Sequence, residues 1–354
     1  MHASFPVFHF QHRVHISEGC GASHPAYASS NFAALVTLVA MINSPGDVGG
    51  WFRTAREDAV VLTDRTAWGT TGGTFGRTSH DDDLRAAFEL FRGRPTMVLT
   101  GAGMSTGSGL PDYRGEGAVP RSPMTYQEFV SNDLSRRRYW ARSTVGWGSF
   151  GKAVPNAAHL ALAELGRSTP LTGIVTQNVD RLHQAAGSAP VIDLHGNLEH
   201  IVCLACERSF PRRQVQDMLL ELNPGYASRL PELMENSRTA PDGDAEVDRT
   251  DDFFYPDCTV CGGMLKPDVV FFGENARRAT VERANALLEA SDVLLVLGTS
   301  LTVMSGLRFL RRSVKEGREV IIVNDGPTRG DDLATLRLHG RLEPVLRRWS
   351  RMAG

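Results

Sequence analysis

From Asp83 onward the apolar positions follow two alternating patterns. Leu84, Ala87, Phe88 and Phe91 recur three and four apart, the spacing of one helix face, and the run Thr96-Met97-Val98-Leu99 that follows ends in glycines. This predicts a helix leading into a buried strand. Further apolar runs over residues 173–176, 191–194, 269–272, 293–297 and 320–323 predict strands, with helical patterns such as 157–165 and 279–290 among them. Strands without a polar face must be covered on both sides. Their alternation with helices therefore predicts an α/β fold with a doubly wound, Rossmann-like parallel sheet.

Two stretches interrupt this rhythm. Residues 113–165 hold aromatic and arginine-rich helical sequence, and residues 200–265 hold all four paired cysteines. They are expected to be a helical module and a smaller zinc-binding module, inserted above the sheet where a doubly wound fold places its ligand crevice. Residues 1–80 are rich in Gly, Ser, Thr and His and lack the alternation. They are expected to form a poorly ordered N-terminal extension, or to reflect an over-long start with initiation near Met41, which leaves 81–354 as the catalytic domain.

Composition removes several function classes. A formal net charge of -2 gives no basic field for gripping a phosphate backbone, so no nucleic-acid partner is expected. The apolar stretch from Phe32 to Ile42 covers about half of the roughly 20 residues needed to span a bilayer, and the segment before it carries little positive charge. Neither membrane insertion nor secretion is expected. Of five cysteines, Cys20 stands alone and four form two Cys-x-x-Cys pairs, a pattern that suits metal binding in a reducing compartment, and the cytoplasm fits.

Three segments carry chemistry. The first strand runs into Gly101-Ala102-Gly103-Met104-Ser105-Thr106-Gly107-Ser108-Gly109-Leu110-Pro111-Asp112-Tyr113-Arg114-Gly115, where glycines let backbone approach a pyrophosphate. Its third glycine falls one place later than in the dehydrogenase pattern, and no ribose-binding acid at a second strand end follows, so hydride transfer is disfavoured. Next, Thr176-Gln177-Asn178-Val179-Asp180 and Asp193-Leu194-His195-Gly196 place polar side chains at the ends of buried strands, and a histidine there can act as general base. Finally, Cys203 and Cys206 with Cys258 and Cys261 supply four thiolates, the donor set of a closed structural zinc site with no open position for catalysis. The acidic run of Asp242, Asp244, Glu246, Asp248, Asp251 and Asp252 lacks the offsets of a calcium loop and is expected to be a solvated loop.

Together with Lys266-Pro267-Asp268-Val269-Val270-Phe271-Phe272-Gly273-Glu274, Gly298-Thr299-Ser300-Leu301 and Asn324-Asp325-Gly326-Pro327-Thr328, these segments resemble the sirtuin family, in the family's order, over residues from about 83 to 350. The stretch Arg138-Tyr139-Trp140-Ala141-Arg142 with Val145-Gly146-Trp147, the loop Ala240-Pro241-Asp242-Gly243-Asp244 and Asp331-Asp332-Leu333 resemble its class II branch.

The resemblance implies NAD-dependent removal of acetyl or longer acyl groups from protein lysines, giving nicotinamide and O-acyl-ADP-ribose, with one structural zinc per chain. It assigns catalysis to His195 and Asn178. It places Gly101, Ala102, Gly103, Ser105, Thr106, Pro111, Asp112, Tyr113 and Arg114 around the pyrophosphate and nicotinamide. Gln177, Asn178 and Asp180 fall near nicotinamide and its ribose, and Gly298, Thr299, Ser300, Asn324, Asp325, Gly326 and Leu342 about the rest of NAD. Val270, Phe271, Phe272 and Gly273 are implied to hold the acyl-lysine protein substrate. Two alternatives stay open: protein mono-ADP-ribosyl transfer from the same NAD site, and a non-catalytic NAD-sensing module.

Two details fit less simply. Many sirtuins carry proline after the Gly-Thr-Ser-Leu-x-Val stretch, whereas this chain has Met304-Ser305-Gly306, similar to the class II form. Tyr139 and Arg142, three apart on a predicted helix, resemble the pair with which class III sirtuins hold acidic acyl chains. The competing expectation is that Arg142 pairs with a surface acid and Tyr139 packs in the helical module.

Overall fold

The computed structural model describes residues 79–113, 123–236, 240–245, 247 and 250–354, so the expected extension lies, apart from its last two residues, outside the described residues. The chain begins with helix α1 (Ser79–Phe91) and strand β1 (Thr96–Thr100), followed by two short 3-10 turns, Ala102–Met104 and Thr106–Ser108. Next come helices α2 (Tyr126–Ser131), α3 (Asp133–Phe150) and α4 (Ala157–Ser168), strand β2 (Leu171–Thr176), the single turn α5 (Leu182–Ala185) and strand β3 (Val191–Asp193). Strands β4 (Gly196–Cys203) and β5 (Ser209–Pro211) precede helices α6 (Arg212–Leu222) and α7 (Pro224–Asn236) and strand β6 (Leu265–Val269). The rest of the chain runs through α8 (Arg278–Glu289), β7 (Val293–Leu297), α9 (Met304–Lys315), β8 (Glu319–Asn324), β9 (Leu336–His339) and α10 (Leu342–Ala353).

Six strands form one parallel sheet in the order β3-β2-β1-β7-β8-β9. Successive residues of each strand face opposite layers. Val98, Ile174, Leu295 and Ile321 meet α1, α4 and α10 through Phe88, Leu162 and Trp349, whereas Met97, Val175, Val296 and Ile322 meet α8 and α9 through Leu288 and Phe309. The doubly wound architecture read from the apolar runs is the one observed. Phe91 stacks edge-on against Trp349 at 5.1 Å, and the Trp349 indole N–H donates to the Leu84 carbonyl, which fastens α10 to α1.

The chain winds outward from β1 through β2 to β3 and then returns to β7 on the other side of β1. A crevice between diverging connections opens at such a switch point, outside the carboxyl ends of the strands. Here those ends are the Gly101 loop after β1 and the Gly298 loop after β7.

The two stretches that break the sheet pattern share one apolar core. Phe129, Tyr139 and Trp140 of α2 and α3 pack with Ile201, Phe210, Val215, Leu265 and Phe271 around the antiparallel sheet β5-β4-β6. Helix α4, within the range expected for the helical module, packs instead on the main sheet, because Ala158, Ala161, Leu162 and Leu165 make one apolar face. The run 269–272 is not a parallel-sheet strand. The strand is Leu265–Val269, antiparallel to β4. It contains Lys266, which is only 3% exposed because its ammonium meets the Glu274 carboxylate at 3.1 Å and the Phe271 ring at 4.7 Å.

Among the described residues no helix is long and apolar enough to cross a membrane.

Candidate active site

The Gly-rich loop is held against the β7 end by backbone. The Gly101 N–H donates to the Leu297 carbonyl and the Gly103 N–H to the Gly298 carbonyl, at 3.1 and 2.9 Å. A Cβ on Gly101 would lie 2.6 Å from the Thr299 Cβ, and one on Gly298, whose φ is +61°, would lie 2.8 Å from the Met104 nitrogen. Such contacts are closer than side chains tolerate, so the crossing needs glycine on both loops. Leu342, at the start of α10, is buried, and its methyl would clash with that same added Cβ on Gly298.

Three polar side chains knit this loop to the end of β2. The Asn178 amide donates to the Gly101 carbonyl and to the Ser105 hydroxyl, both at 3.0 Å, and Ser105 donates to the Asp180 carboxylate at 2.6 Å. Burial raises the Asp180 pKa above the usual carboxylate value, and the bonds from Ser105 and the Leu182 N–H act against that. Ala102, Ser105, Leu110, Pro111, Asn178, Asp180 and Pro241 line a small cleft at this point. Its lining combines apolar walls with a convergent amide, hydroxyl and carboxylate.

On the far side, Gln177 accepts from the Thr299 hydroxyl at 2.9 Å, and Ser300 and Thr302 share a hydroxyl bond at 3.0 Å. The Asn324 amide closes on the Gly326 carbonyl at 3.0 Å, and Asp325 is exposed beside it. Thr106 and Asp112 sit on the Gly-rich loop, and Tyr113 is 37% exposed at its end. Arg114 lies outside the described residues. Every other NAD residue expected from the sequence falls on the loops or strand ends along this carboxyl edge, or at the start of α10.

His195 follows β3 and lies between β2 and α9. Its Nδ1 is 3.0 Å from the Gln177 carbonyl oxygen, and its Nε2 is 2.7 Å from the Ser305 hydroxyl. A carbonyl can only accept, so Nδ1 carries the proton and Nε2 is the basic nitrogen. Burial lowers the His195 pKa below 6.5; the Gln177 carbonyl raises it and Arg308 lowers it further. The ring is therefore an unprotonated base at neutral pH. The His195 carbonyl accepts from the Val270 N–H at 2.8 Å, which seats the 270–273 segment beside the base. From this segment Phe272 is 43% exposed, while Phe271 is buried in the second core.

Beneath the strand ends lie two buried histidines, His159 and His183, with rings 4.9 Å apart. His183 Nε2 bonds the Thr100 hydroxyl, which donates to Thr176, whose hydroxyl accepts the Asn178 N–H. Burial lowers His159 to about 4 and His183 to about 3, the latter with help from His159. Because the folded values lie below the unfolded 6.5, unfolding takes up protons in acid. The histidines' contribution is complete above pH 6.5 and is lost as pH falls toward 4 and then 3, at about 1.4 kcal/mol per pH unit for each histidine at most. Urea unfolding of wild type and His159→Leu at pH 7 and pH 5 should show a shallower loss in the variant. Parallel losses would mean that the pair does not titrate on unfolding.

The four sulfurs of Cys203, Cys206, Cys258 and Cys261 lie within 4.8 Å of one another, with Cys203 and Cys261 at 3.5 Å and Cys206 and Cys258 at 3.8 Å. No disulfide joins them. Tetrahedral zinc with bonds of about 2.3 Å needs sulfurs at nearly this separation. The N–H groups of Ala205 and Cys206 point at the Cys203 sulfur, which favours the thiolate. The residues fit one closed, structural zinc.

The acidic run is not simply solvated. Asp244 meets the Arg142 guanidinium at 2.9 Å, and Pro241 from the same turn reaches the cleft, while Glu246 and Asp248 lie outside the described residues. Tyr139 is buried edge-on against Phe129 and Trp140, and Arg142 also donates to the Ala245 carbonyl at 2.7 Å. Tyr139 packs as expected and Arg142 is paired with an acid, but that acid, Asp244, is 16% exposed and is not a surface group.

Sequence reasoning did not find Asn156 or Pro241. Asn156 caps α4 by accepting from the Ala158 and His159 N–H groups while its amide donates to the Met104 carbonyl, so a helix start clamps the Gly-rich loop. The Asn before Ala157-Ala158-His159-Leu160 is a visible capping signal. Pro241 carries no signal that foretells its position in the cleft.

A family model described as the Sir2 family matches residues 101–305. NAD-dependent protein deacetylase 1 of Streptomyces coelicolor is 50% identical over 268 residues, covering 75% of this chain and 88% of the relative. The NAD-dependent protein deacetylase of Xanthomonas axonopodis pv. citri is 51% identical over 264 residues, covering 73% and 88%. A solved structure of Sir2 with a p53 peptide and NAD+ superposes with a TM-score of 0.59 at 31% identity, over 76% of this chain and 98% of that one.

Proposed function

Because the chain belongs to the Sir2 family, we propose that its carboxyl-edge crevice binds NAD and an acylated protein lysine, and that the protein is an NAD-dependent protein-lysine deacetylase. The observation that carries this reading is a neutral histidine, with Nε2 as its basic nitrogen, on the same strand-end edge as a glycine crossing and an amide-lined cleft. The catalytic domain is assigned to residues 81–354, and the four-thiolate cluster favours the cytoplasm.

When bound, NAD supplies an electrophilic ribose carbon that carries nicotinamide as its leaving group. Gly101, Gly103 and Gly298 let the two loops that would cradle the pyrophosphate cross at close range. Asn178, Ser105 and Asp180 orient the nicotinamide end, and Ser300 with Asn324 to Gly326 receives the adenosine half. Leu110, Pro111 and Pro241 keep water from the reacting carbon. With NAD bound, His195 Nε2 would accept a proton from a ribose hydroxyl, and the Gln177 carbonyl at Nδ1 would hold the resulting imidazolium. The 270–273 segment lines the entrance for the acyl-lysine, with Phe272 exposed to it.

Incubation with labelled NAD and an acetylated peptide separates this reading from ADP-ribosyl transfer. Label recovered in O-acetyl-ADP-ribose supports deacetylation; stable label on protein supports transfer and overturns it.

The Arg142 pairing also fixes an expectation for acyl choice. Arg142 supports the turn that carries Pro241 and does not read the acyl chain. Arg142→Met should therefore lower kcat/KM for acetyl and succinyl peptides alike, by about tenfold or less, the equivalent of one hydrogen bond. A selective loss on the succinyl peptide would reverse that assignment.

A further inference from the structure

In the segment Met304-Ser305-Gly306 both the serine and the glycine meet the groups around the base. The Ser305 hydroxyl lies 2.7 Å from His195 Nε2. A Cβ on Gly306 would lie 2.8 Å from the Gln177 side-chain nitrogen, so glycine leaves the space in which Gln177 stands. Gln177 in turn supplies the carbonyl that bonds His195 Nδ1. The first turn of α9 thus touches the histidine directly at one nitrogen and makes room for the residue that binds the other.

We propose that Ser305 is a positioning residue for the general base: its hydroxyl donates to His195 Nε2 and, with the Gln177 carbonyl on Nδ1, fixes the tautomer and plane of the ring. The assignment of donors follows from chemistry. The Gln177 oxygen can only accept, so Nδ1 is protonated, Nε2 holds the lone pair, and the hydroxyl must donate. An imidazole held at both nitrogens cannot swing about its χ2 axis. It therefore meets the incoming ribose hydroxyl in one orientation, and the Ser305 O–H turns aside to yield the lone pair. A proline at this place would provide no hydroxyl and leave the ring fixed at one nitrogen only.

This inference rests on the deacetylase reading for its kinetic arm but not for its spectroscopic one. In the full chain without NAD, the His195 Nε2 nitrogen resonance, assigned by its loss in His195→Ala, should show the shift of a hydrogen-bonded acceptor at pH 7.5. Ser305→Ala should move it to the position of a free ring nitrogen, and Ser305→Thr should restore it. With NAD and an acetylated peptide, Ser305→Ala should lower kcat by roughly tenfold, the rate equivalent of one hydrogen bond, with KM for NAD within about twofold. Ser305→Thr should recover most of kcat. An unmoved resonance in Ser305→Ala refutes the bond, and a moved resonance with unchanged kcat refutes the positioning role. A raised KM for NAD with unchanged kcat would make Ser305 a cofactor contact instead. Absence of wild-type deacetylation would count against the deacetylase reading, while the resonance comparison would still decide the bond.

Discussion

His195→Ala is expected to lower deacetylation turnover by roughly 10²-fold or more, the usual scale for a lost general base. Folding, zinc content and NAD binding should stay close to wild type. The side chain is half-buried at a strand end and belongs to none of the three apolar clusters, so its removal opens no core cavity. The cofactor loops are held by other contacts, Asn178 to Gly101 and Thr299 to Gln177, which the substitution leaves in place. The pH profile gives a second check. Burial puts the His195 pKa below 6.5, so wild-type kcat should be level near neutral pH and fall only as acid protonates the ring. Steady-state kinetics from pH 5 to 8, with NAD binding measured by calorimetry, decide the point. Unchanged turnover, or a loss confined to NAD affinity, would remove His195 from the role of base.

Cys258→Ser should release the metal and destabilise the second core by on the order of 5 kcal/mol or more, since structural zinc sites contribute apparent binding energies of about 10–16 kcal/mol. Cys203 and Cys258 are themselves buried members of that core, beside Ile201, Phe210 and Leu265. The consequence extends to the site. Strand β6 starts close to the cysteine cluster, where the Leu204 N–H donates to the Met264 carbonyl, and it runs on to the Val270 N–H that bonds the His195 carbonyl. Loss of zinc should thus loosen the substrate segment as well as lower the unfolding midpoint. Metal analysis should find one zinc per wild-type chain and almost none in the variant. A variant with full zinc and an unshifted midpoint would contradict the four-thiolate site, and so would a wild-type metal with an exchangeable water.

The parts of the fold that could be read from the sequence are those where one physical cause acts alone. Strands β1, β7 and β8 lie inside the sheet with both faces covered, so the stretches 97–99, 293–297 and 320–323 are apolar throughout and the runs stand out. Edge strand β9 alternates Leu336 and Leu338 with partly exposed or exposed residues over only four positions, too short to distinguish from a loop. The misassigned run at 269–272 failed for a different reason. Lysine and proline at 266 and 267 argue for a turn, yet Lys266 is buried by its ion pair with Glu274, a partner eight residues away that periodicity cannot see.

The site divides along the same line. Glycines, cysteines and strand-end polar groups advertise their chemistry by residue type and place. Pro241 and Ser305 lie in segments that only resemble a branch of the family, and their place beside the cleft and beside His195 comes from long-range approach that residue type does not foretell. Tyr139 and Arg142 show the converse: a suggestive spacing on α3 whose arginine is taken by Asp244 and Ala245 from a distant turn.

The central claim is that this crevice couples lysine deacetylation to NAD cleavage, and product stoichiometry tests it most directly. With an acetylated peptide and NAD, mass spectrometry should find deacetylated peptide, nicotinamide and O-acetyl-ADP-ribose formed in equal amounts, with none of the three appearing when NAD or peptide is omitted. Nicotinamide released while the peptide keeps its acetyl group, or deacetylation that proceeds without NAD, would contradict the account.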